Sequence, residues 1–152
     1  MNPAEVAAPG KGEARSILCY LDLDWQESQG RSLDILLEGR LCESCRSRRS
    51  RPRRKGSSAS KKTRVEELRA QIQSCCSRKD DFITPRTPLL EAAFRLLLSR
   101  EMPLSLEEMV RELSRRRRSY FTEELMRERL ERMLARDTFY GFRLQSQEPP
   151  NA

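Results

Sequence analysis

The chain has 152 residues, yet it contains no histidine and only six glycines. Histidine is the commonest general base and a frequent zinc ligand, so its absence excludes Ser-His-Asp and Cys-His catalytic arrangements and Cys₂His₂ metal sites. No segment has the GxGxxG or GxxxxGK[ST] spacing with which glycine-rich loops cradle phosphates. Because no catalytic signature remains, we predict that the protein is not an enzyme and has no small-molecule substrate.

Long apolar runs are also missing. No stretch of about 18 apolar residues is present, so the sequence predicts no transmembrane helix and no membrane partner. The segment Met1–Ser16 lacks the charged and then apolar pattern of a secretory signal, and we expect a cytoplasmic protein. In that compartment the five cysteines should be reduced or bound to a metal rather than paired as disulfides.

Positive charge is abundant but unevenly distributed. The net charge is +7, whereas residues 46–64 alone carry ten Arg and Lys side chains and no acid, so the rest of the chain sums to −3. Pro52, Gly56 and several serines interrupt this segment and predict a flexible chain. We call residues 46–62 the basic linker and predict that it is disordered, as are the polar tails at 1–15 and 146–152.

A flexible polycation suits contact with the phosphate backbone of a nucleic acid, without reading of its sequence. The basic linker contains no aromatic residue, so stacking on bases is not indicated. A second run of four arginines follows further along the chain. The candidate nucleic-acid-binding residues are therefore Arg46, Arg48, Arg49, Arg51, Arg53, Arg54, Lys55, Lys61, Lys62, Arg115, Arg116, Arg117 and Arg118. The alternative interpretation is a solvated spacer.

Residues 87–144 have the pattern of three short amphipathic helices followed by one strand. Thr87 is the predicted N-cap of the first helix. The second helix opens with the capping-box spacing of Ser105 and Glu108, and Thr122 caps the third. The run Arg115–Arg118 is predicted to be an exposed loop between the second and third helices, and the strand follows from the alternation of Tyr140, Phe142 and Leu144.

This order resembles a winged-helix or helix-turn-helix domain over residues 82–145. The resemblance implies a three-helix core whose third helix enters the major groove of DNA. The chain departs from the family because only one strand follows the third helix and because the connection before that helix is long. The third helix is also electrically neutral, with four arginines against four glutamates. Two functions therefore stay open: a DNA-binding, transcription-related accessory protein, and an adaptor that binds another protein and uses the basic linker as a spacer.

The N-terminal part is predicted to be a small α/β or zinc-knuckle-like module at residues 16–45. Alternating apolar residues from Ser16 to Asp24 favour a strand. Ser32 and Gly39 bracket a short apolar segment that we interpret as a helix, with a strand leading into a zinc knuckle as the alternative.

The cysteines suggest a metal site. Cys42 and Cys45 have the C-x₂-C spacing with which two thiolates from one turn reach a common zinc, and Cys75 and Cys76 could complete the set. We hypothesise one structural zinc on these four residues, although adjacent cysteines are an awkward pair and Cys19 or a carboxylate could be the fourth ligand. In the competing interpretation, Cys75 and Cys76 lie on the apolar face of a helix at 63–77 and pack as small hydrophobic side chains.

The sequence thus predicts a mainly helical protein with a nucleic acid, DNA rather than RNA, or an unidentified protein as its partner. Its predicted segments are a tail (1–15), the N-terminal module (16–45), the basic linker (46–62), a linking helix (63–81), the winged-helix-like domain (82–145) and a second tail (146–152).

Overall fold

The computed structural model describes residues 16–49 and 60–147, which form a mainly helical structure with one small sheet. The prediction of a mainly helical protein is confirmed. The predicted tail 1–15, the end of the second tail from residue 148 and residues 50–59 of the basic linker lie outside the described residues. The elements are β1 (Ser16–Leu21), α1 (Leu23–Ser28), α2 (Leu33–Glu38), α3 (Glu43–Arg49), α4 (Lys61–Ser74), a 3₁₀ turn (Cys76–Arg78), α5 (Leu89–Leu98), β2 (Leu104–Ser105), α6 (Leu106–Arg117), α7 (Glu123–Arg136) and β3 (Phe142–Gln147).

The sheet is antiparallel, with strand order β2-β1-β3. Strand β1 is therefore central, and Cys19 stands opposite Leu104 on one side and Leu144 on the other. The two predicted strands are confirmed in part: β1 ends at Leu21 rather than continuing to Asp24, and β3 begins at Phe142 rather than at Tyr140. The N-terminal strand, assigned from the sequence to a separate module, lies between two strands of the predicted winged-helix-like segment.

Helix α5 forms the centre of the hydrophobic core. Seven of its ten residues are buried, including Phe94, and no exposed polar face interrupts them. The helix begins after Pro88, which is its N-cap. The prediction of Thr87 as N-cap is wrong, because the Thr87 hydroxyl instead accepts a hydrogen bond from the Thr84 amide at 2.9 Å and closes the preceding turn.

The caps of α6 and α7 are those that the sequence predicts. The Ser105 hydroxyl accepts from the Glu108 amide at 3.1 Å, and the Glu108 carboxylate accepts from the Ser105 amide at 3.0 Å. The Thr122 hydroxyl accepts from the Leu125 amide at 3.2 Å. These local contacts satisfy amides that a helix leaves unpaired at its start.

The exposed loop predicted at Arg115–Arg118 is wrong. Helix α6 continues through Arg117 and ends at Arg118, which has left-handed backbone angles. Arginine is a good helix former, and cations suit the negative end of the helix dipole. The Glu112 carboxylate holds Arg115 at 2.8 Å and Arg116 at 3.3 Å, one turn along the same helix.

The short helices near the N-terminus differ in part from the prediction. Helix α2 is confirmed between Ser32 and Gly39, although the Ser32 side chain makes no capping hydrogen bond. Helix α3 runs to Arg49, so the first four residues of the basic linker are helical. Helix α4 begins two residues earlier than predicted, because the Ser60 hydroxyl rather than Thr63 forms its cap.

One hydrophobic cluster unites the described parts of the chain, from Cys19 through α2, α4 and α5 to Phe142. Polar contacts reinforce it. The buried Gln26 side chain donates to the Phe139 carbonyl at 2.6 Å, and Arg40 pairs with Glu91 of α5 at 2.7 Å. Residues 16–49 are thereby packed against the C-terminal helices and the sheet.

Candidate metal centre and cationic groove

Four cysteines meet where α3 begins and α4 ends. Cys42 immediately precedes α3, Cys45 lies in its first turn, Cys75 is the C-cap of α4, and Cys76 opens the 3₁₀ turn. The sulfur atoms of Cys42, Cys45 and Cys76 lie within 4.8 Å of one another. The Cys75 sulfur lies 3.9 Å from that of Cys42. In a tetrahedral zinc site with bonds of about 2.3 Å, neighbouring sulfurs are about 3.8 Å apart, so the cluster has the dimensions of a metal site.

The end of α4 explains how two adjacent cysteines reach one centre. Successive side chains on a continuous helix point about 100° apart, which would separate the two thiols. Helix α4 stops at Ser74, and Cys75 has non-helical backbone angles (φ −127°, ψ −65°) before the chain enters the 3₁₀ turn. The continuous helix over 63–77 is therefore wrong at its last three residues.

Cys19, the alternative fourth ligand, lies in the sheet and is not part of this cluster. Its side chain is fully buried, and burial raises the pKa of its thiol to about 12. It packs as a small apolar residue in the core.

Hydrogen-bond donors surround the sulfurs. The Cys42 amide donates to the Cys76 sulfur at 3.1 Å, and the Arg48 guanidinium donates to the Cys45 sulfur at 3.3 Å. The Ser44 hydroxyl, 3.4 Å from the Cys42 sulfur, lowers the pKa of that thiol to about 6. Donors of this kind stabilise thiolates and are the usual surroundings of cysteine-bound metals.

Burial acts in the opposite direction at Cys76, whose side chain is 1% exposed. It raises the pKa of the Cys76 thiol to about 12. A divalent cation bound among the sulfurs reverses this effect, because a coordinated thiol is deprotonated outright. The cluster is thus suited chemically to a cation that binds thiolates.

Beside the cysteines lies a groove of about 1020 Å³ whose lining is strongly basic. Its walls come from the residues after α4, the end of α5 and the end of α6. We call it the cationic groove, and its charged lining residues are Arg78, Lys79, Arg100, Arg115, Arg116, Arg118 and the single acid Asp80. Polar residues and two apolar side chains, Ile83 and Pro85, complete the lining.

The structure places only part of the predicted nucleic-acid-binding set in this groove. Arg115, Arg116 and Arg118 line it, whereas Arg117 donates to the Thr87 carbonyl at 2.9 Å. The remaining residues lie elsewhere: Arg46 donates to the Leu41 carbonyl, Arg48 binds Cys45, Arg49 ends α3, Lys61 and Lys62 are exposed in the first turn of α4, and Arg51, Arg53, Arg54 and Lys55 lie outside the described residues.

Sequence reasoning missed three of the groove's cations. Arg78 and Lys79 form a short basic pair directly after the second cysteine pair, and Arg100 stands alone after α5. Neither position belongs to a long charge run. Only the packing of α4, α5 and α6 brings them together.

Helix α7 offers less to an anion. Arg127 pairs with Glu107 at 3.0 Å and with Glu131 at 3.5 Å, and the Arg129 guanidinium lies over the Phe121 ring at 4.8 Å. The start of this helix instead exposes apolar side chains at Tyr120, Phe121 and Leu125.

Comparison of the chain with protein-family models, with curated proteins and with solved structures finds no match. Within residues 16–49 and 60–147, every helix is too short or too polar to cross a membrane.

Proposed function

We propose that this chain is a non-enzymatic, transcription-related DNA-binding accessory protein. The observation that carries the proposal is the cationic groove, where six basic side chains face one acid. Such a surface attracts the phosphate backbone because neutralising phosphates releases condensed counterions. Residues 50–62 of the basic linker follow α3 in the sequence, and their cations would add further sequence-independent contacts.

The order of elements supports a winged-helix variant. Helix α5, strand β2, helices α6 and α7 and strand β3 follow one another as in the helix-turn-helix core that the sequence resembles. Strand β1 supplies the pairing partner that the C-terminal segment lacks. None of the four arginines of α7 lines the groove, and Arg127 and Arg129 are already engaged with glutamates and with Phe121. The proposal therefore assigns phosphate contact to the end of α6 rather than to the third helix.

The metal in this proposal is one structural zinc ion. Four cysteines without histidine are a frequent ligand set for structural Zn²⁺, and thiolate ligands favour zinc over the hard cations Mg²⁺ and Ca²⁺. Cys42, Cys45, Cys75 and Cys76 would hold it. The ion would join the start of α3 to the end of α4.

The salt dependence of DNA binding tests the proposal. We expect the wild-type protein to bind a short duplex with an affinity that falls steeply with salt, and the variant Arg100→Ala/Arg118→Ala to bind more weakly, with a log–log slope smaller by about 2. Both side chains are exposed and line the groove. A charge-matched control is Arg132→Ala/Arg136→Ala on the exposed side of α7, which should leave the slope unchanged. Absence of binding to duplex and to single-stranded probes at low salt would refute the proposal.

The exposed apolar start of α7 favours a second function, the protein-binding adaptor. Tyr120 is fully exposed, and Phe121 and Leu125 are 47% and 41% exposed. Under this alternative, Tyr120→Ser/Leu125→Ser abolishes partner capture, while neutralising the basic linker leaves it intact. Partner capture that survives the Tyr120 and Leu125 substitutions would speak against the adaptor.

A further inference from the structure

We propose that metal binding at the four cysteines fixes one wall of the cationic groove, so that phosphate binding depends on metal occupancy. This inference takes its zinc ion from the proposed function, and its last step also rests on the proposed DNA binding, whereas the coupling between metal and wall does not require DNA binding. The wall consists of Arg78 and Lys79, the two cations contributed by the segment after α4.

The wall is connected to the cysteine cluster both covalently and by hydrogen bonds. Arg78 and Lys79 follow Cys76 by two and three residues. The Arg78 amide donates to the Cys75 carbonyl at 3.1 Å, and the Lys79 amide donates to the Cys76 carbonyl at 3.1 Å. The backbone amides of Arg78 and Lys79 are therefore hydrogen-bonded to the carbonyl groups of two of the proposed metal ligands.

Few other side chains hold this segment in place, and one of them is Ser77, whose hydroxyl donates to the Gln73 carbonyl at 2.9 Å. Among residues 75–81, Cys76 has the only buried side chain, and all residues from Arg78 to Asp81 are exposed. The next buried side chain is Phe82, whose amide donates to the Lys79 carbonyl at 3.1 Å. A thiol that is not coordinated is a small hydrophobic anchor, whereas a coordinated one is fixed to three other ligands.

The cysteine cluster also connects the two cationic parts of the molecule, the basic linker and the cationic groove. Lys79 also lines a smaller pocket of about 370 Å³ together with Cys42, Glu43, Ser44 and Asp81. It thus lies between the cysteine cluster and the cationic groove. Cys42 and Cys45 belong to α3, which leads into the basic linker, while Cys75 and Cys76 belong to the groove's own segment. A single ion would hold the origin of the basic linker against the groove wall.

Amide hydrogen exchange on the full chain tests the coupling without any nucleic acid. With one zinc bound per chain, we expect the Arg78 and Lys79 amides to be protected. After chelation they should exchange about as fast as in an unfolded peptide, while amides in α5 remain protected, because local opening is distinct from global unfolding. Adding Zn²⁺ back should restore protection.

Duplex DNA binding then tests the functional step. We expect chelation to lower the magnitude of the salt slope of the wild-type protein by about 2, the contribution of two phosphate contacts. The variant Arg78→Ala/Lys79→Ala retains all four cysteines, and its binding should no longer respond to zinc. Cys19→Ala serves as a thiol control outside the cluster and should keep the wild-type zinc stoichiometry.

The outcomes separate this inference from the proposed function. If the holoprotein does not bind DNA but chelation still releases the Arg78 and Lys79 amides, the proposed function fails and the coupling stands. If the wall amides stay protected without metal, if α5 loses protection as well, or if no metal is bound, the coupling is overturned. Zinc-dependent DNA binding that persists in Arg78→Ala/Lys79→Ala overturns the assignment to these two cations.

Discussion

Helix α5 and the corner formed by Cys42, Cys45, Cys75 and Cys76 are stabilised in different ways. Seven of the ten α5 residues are buried apolar side chains, and each contributes on the scale of about 1.5–3 kcal/mol for a large residue. At the corner between α3 and α4, Cys45 and Cys76 belong to the same hydrophobic cluster, but the four cysteine sulfurs also contact one another and several hydrogen-bond donors. If the four cysteines bind a metal as proposed, a chain with little apolar content closes its centre by packing and this corner by metal ligands.

The two regions should also lose stability under different conditions. A structural zinc contributes about 10–16 kcal/mol of binding free energy in small peptides, but only while the ion is present. The packed core needs no ligand, and it loses stability only when its shape is changed.

The largest expected effect comes from breaking the core. Phe94 is fully buried in α5, and its ring centre lies 5.0 Å from that of Tyr140. We expect Phe94→Ala to lower the free energy of unfolding by about 3–5 kcal/mol, measured by urea denaturation in excess zinc. Phe121→Ala, at a ring that is 47% exposed, is the control and should change it by less than about 1 kcal/mol. Equal losses in the two variants would contradict the central role of α5.

Removing the metal should have the next largest effect. If zinc binds the folded chain alone, a free zinc concentration a thousand times the dissociation constant stabilises the fold by about 4 kcal/mol. Thermal unfolding followed by circular dichroism should therefore shift to lower temperature on chelation. The unfolding temperature of Cys42→Ser should be lower than that of the wild-type protein and should change little when zinc is added. A melting temperature that is insensitive to zinc in the wild-type protein would mean that the corner closes without an ion.

A smaller effect is expected at the contact that joins the two regions. Glu91 of α5 accepts hydrogen bonds from Arg40, two residues before Cys42, and also from Arg95 and Tyr140. Its ion pair with Arg40 is largely buried, with 17% and 15% of the side chains exposed. We expect Glu91→Gln to cost about 1.5–3 kcal/mol of unfolding free energy by urea denaturation.

Glu112→Gln is the matched control for that substitution. Glu112 also holds two arginines, but Arg115 is 67% exposed and such surface pairs contribute about 0–1 kcal/mol. If Glu112→Gln destabilises as much as Glu91→Gln, burial is not what distinguishes the two ion pairs.

Local patterns predicted the elements that local contacts stabilise. The capping box of α6, the Thr122 cap of α7 and the apolar spacing of both helices are readable because their partners lie three or four residues away. Helix α1 was missed because it is only six residues long and depends on the distant contact between Gln26 and Phe139. The run Arg115–Arg118 contains no apolar residue and therefore predicts a loop, whereas Glu112, one turn earlier, pairs with Arg115 and Arg116 and the helix continues through Arg117.

The candidate sites also divide into features that local sequence patterns predict and features that depend on tertiary packing. The C-x₂-C spacing of Cys42 and Cys45 is a local signal, and the sequence also named Cys75 and Cys76 as their partners. It could not show that α4 ends before those two residues, which is what brings both thiols to the cluster. Arg78, Lys79 and Arg100 were missed because tertiary packing, rather than sequence proximity, assembles the groove.

The central position of β1 has a consequence for folding during synthesis of the chain. Leu21 pairs with Phe142, so β1 cannot complete its pairing until β3 has been synthesised. At the usual rate of translation the intervening chain takes about ten seconds to synthesise, and contacts so distant in sequence also form slowly. During that interval the edge of β1 that pairs with β3 has no partner strand in the sheet. The sheet can be completed only after Phe142–Gln147 has been made.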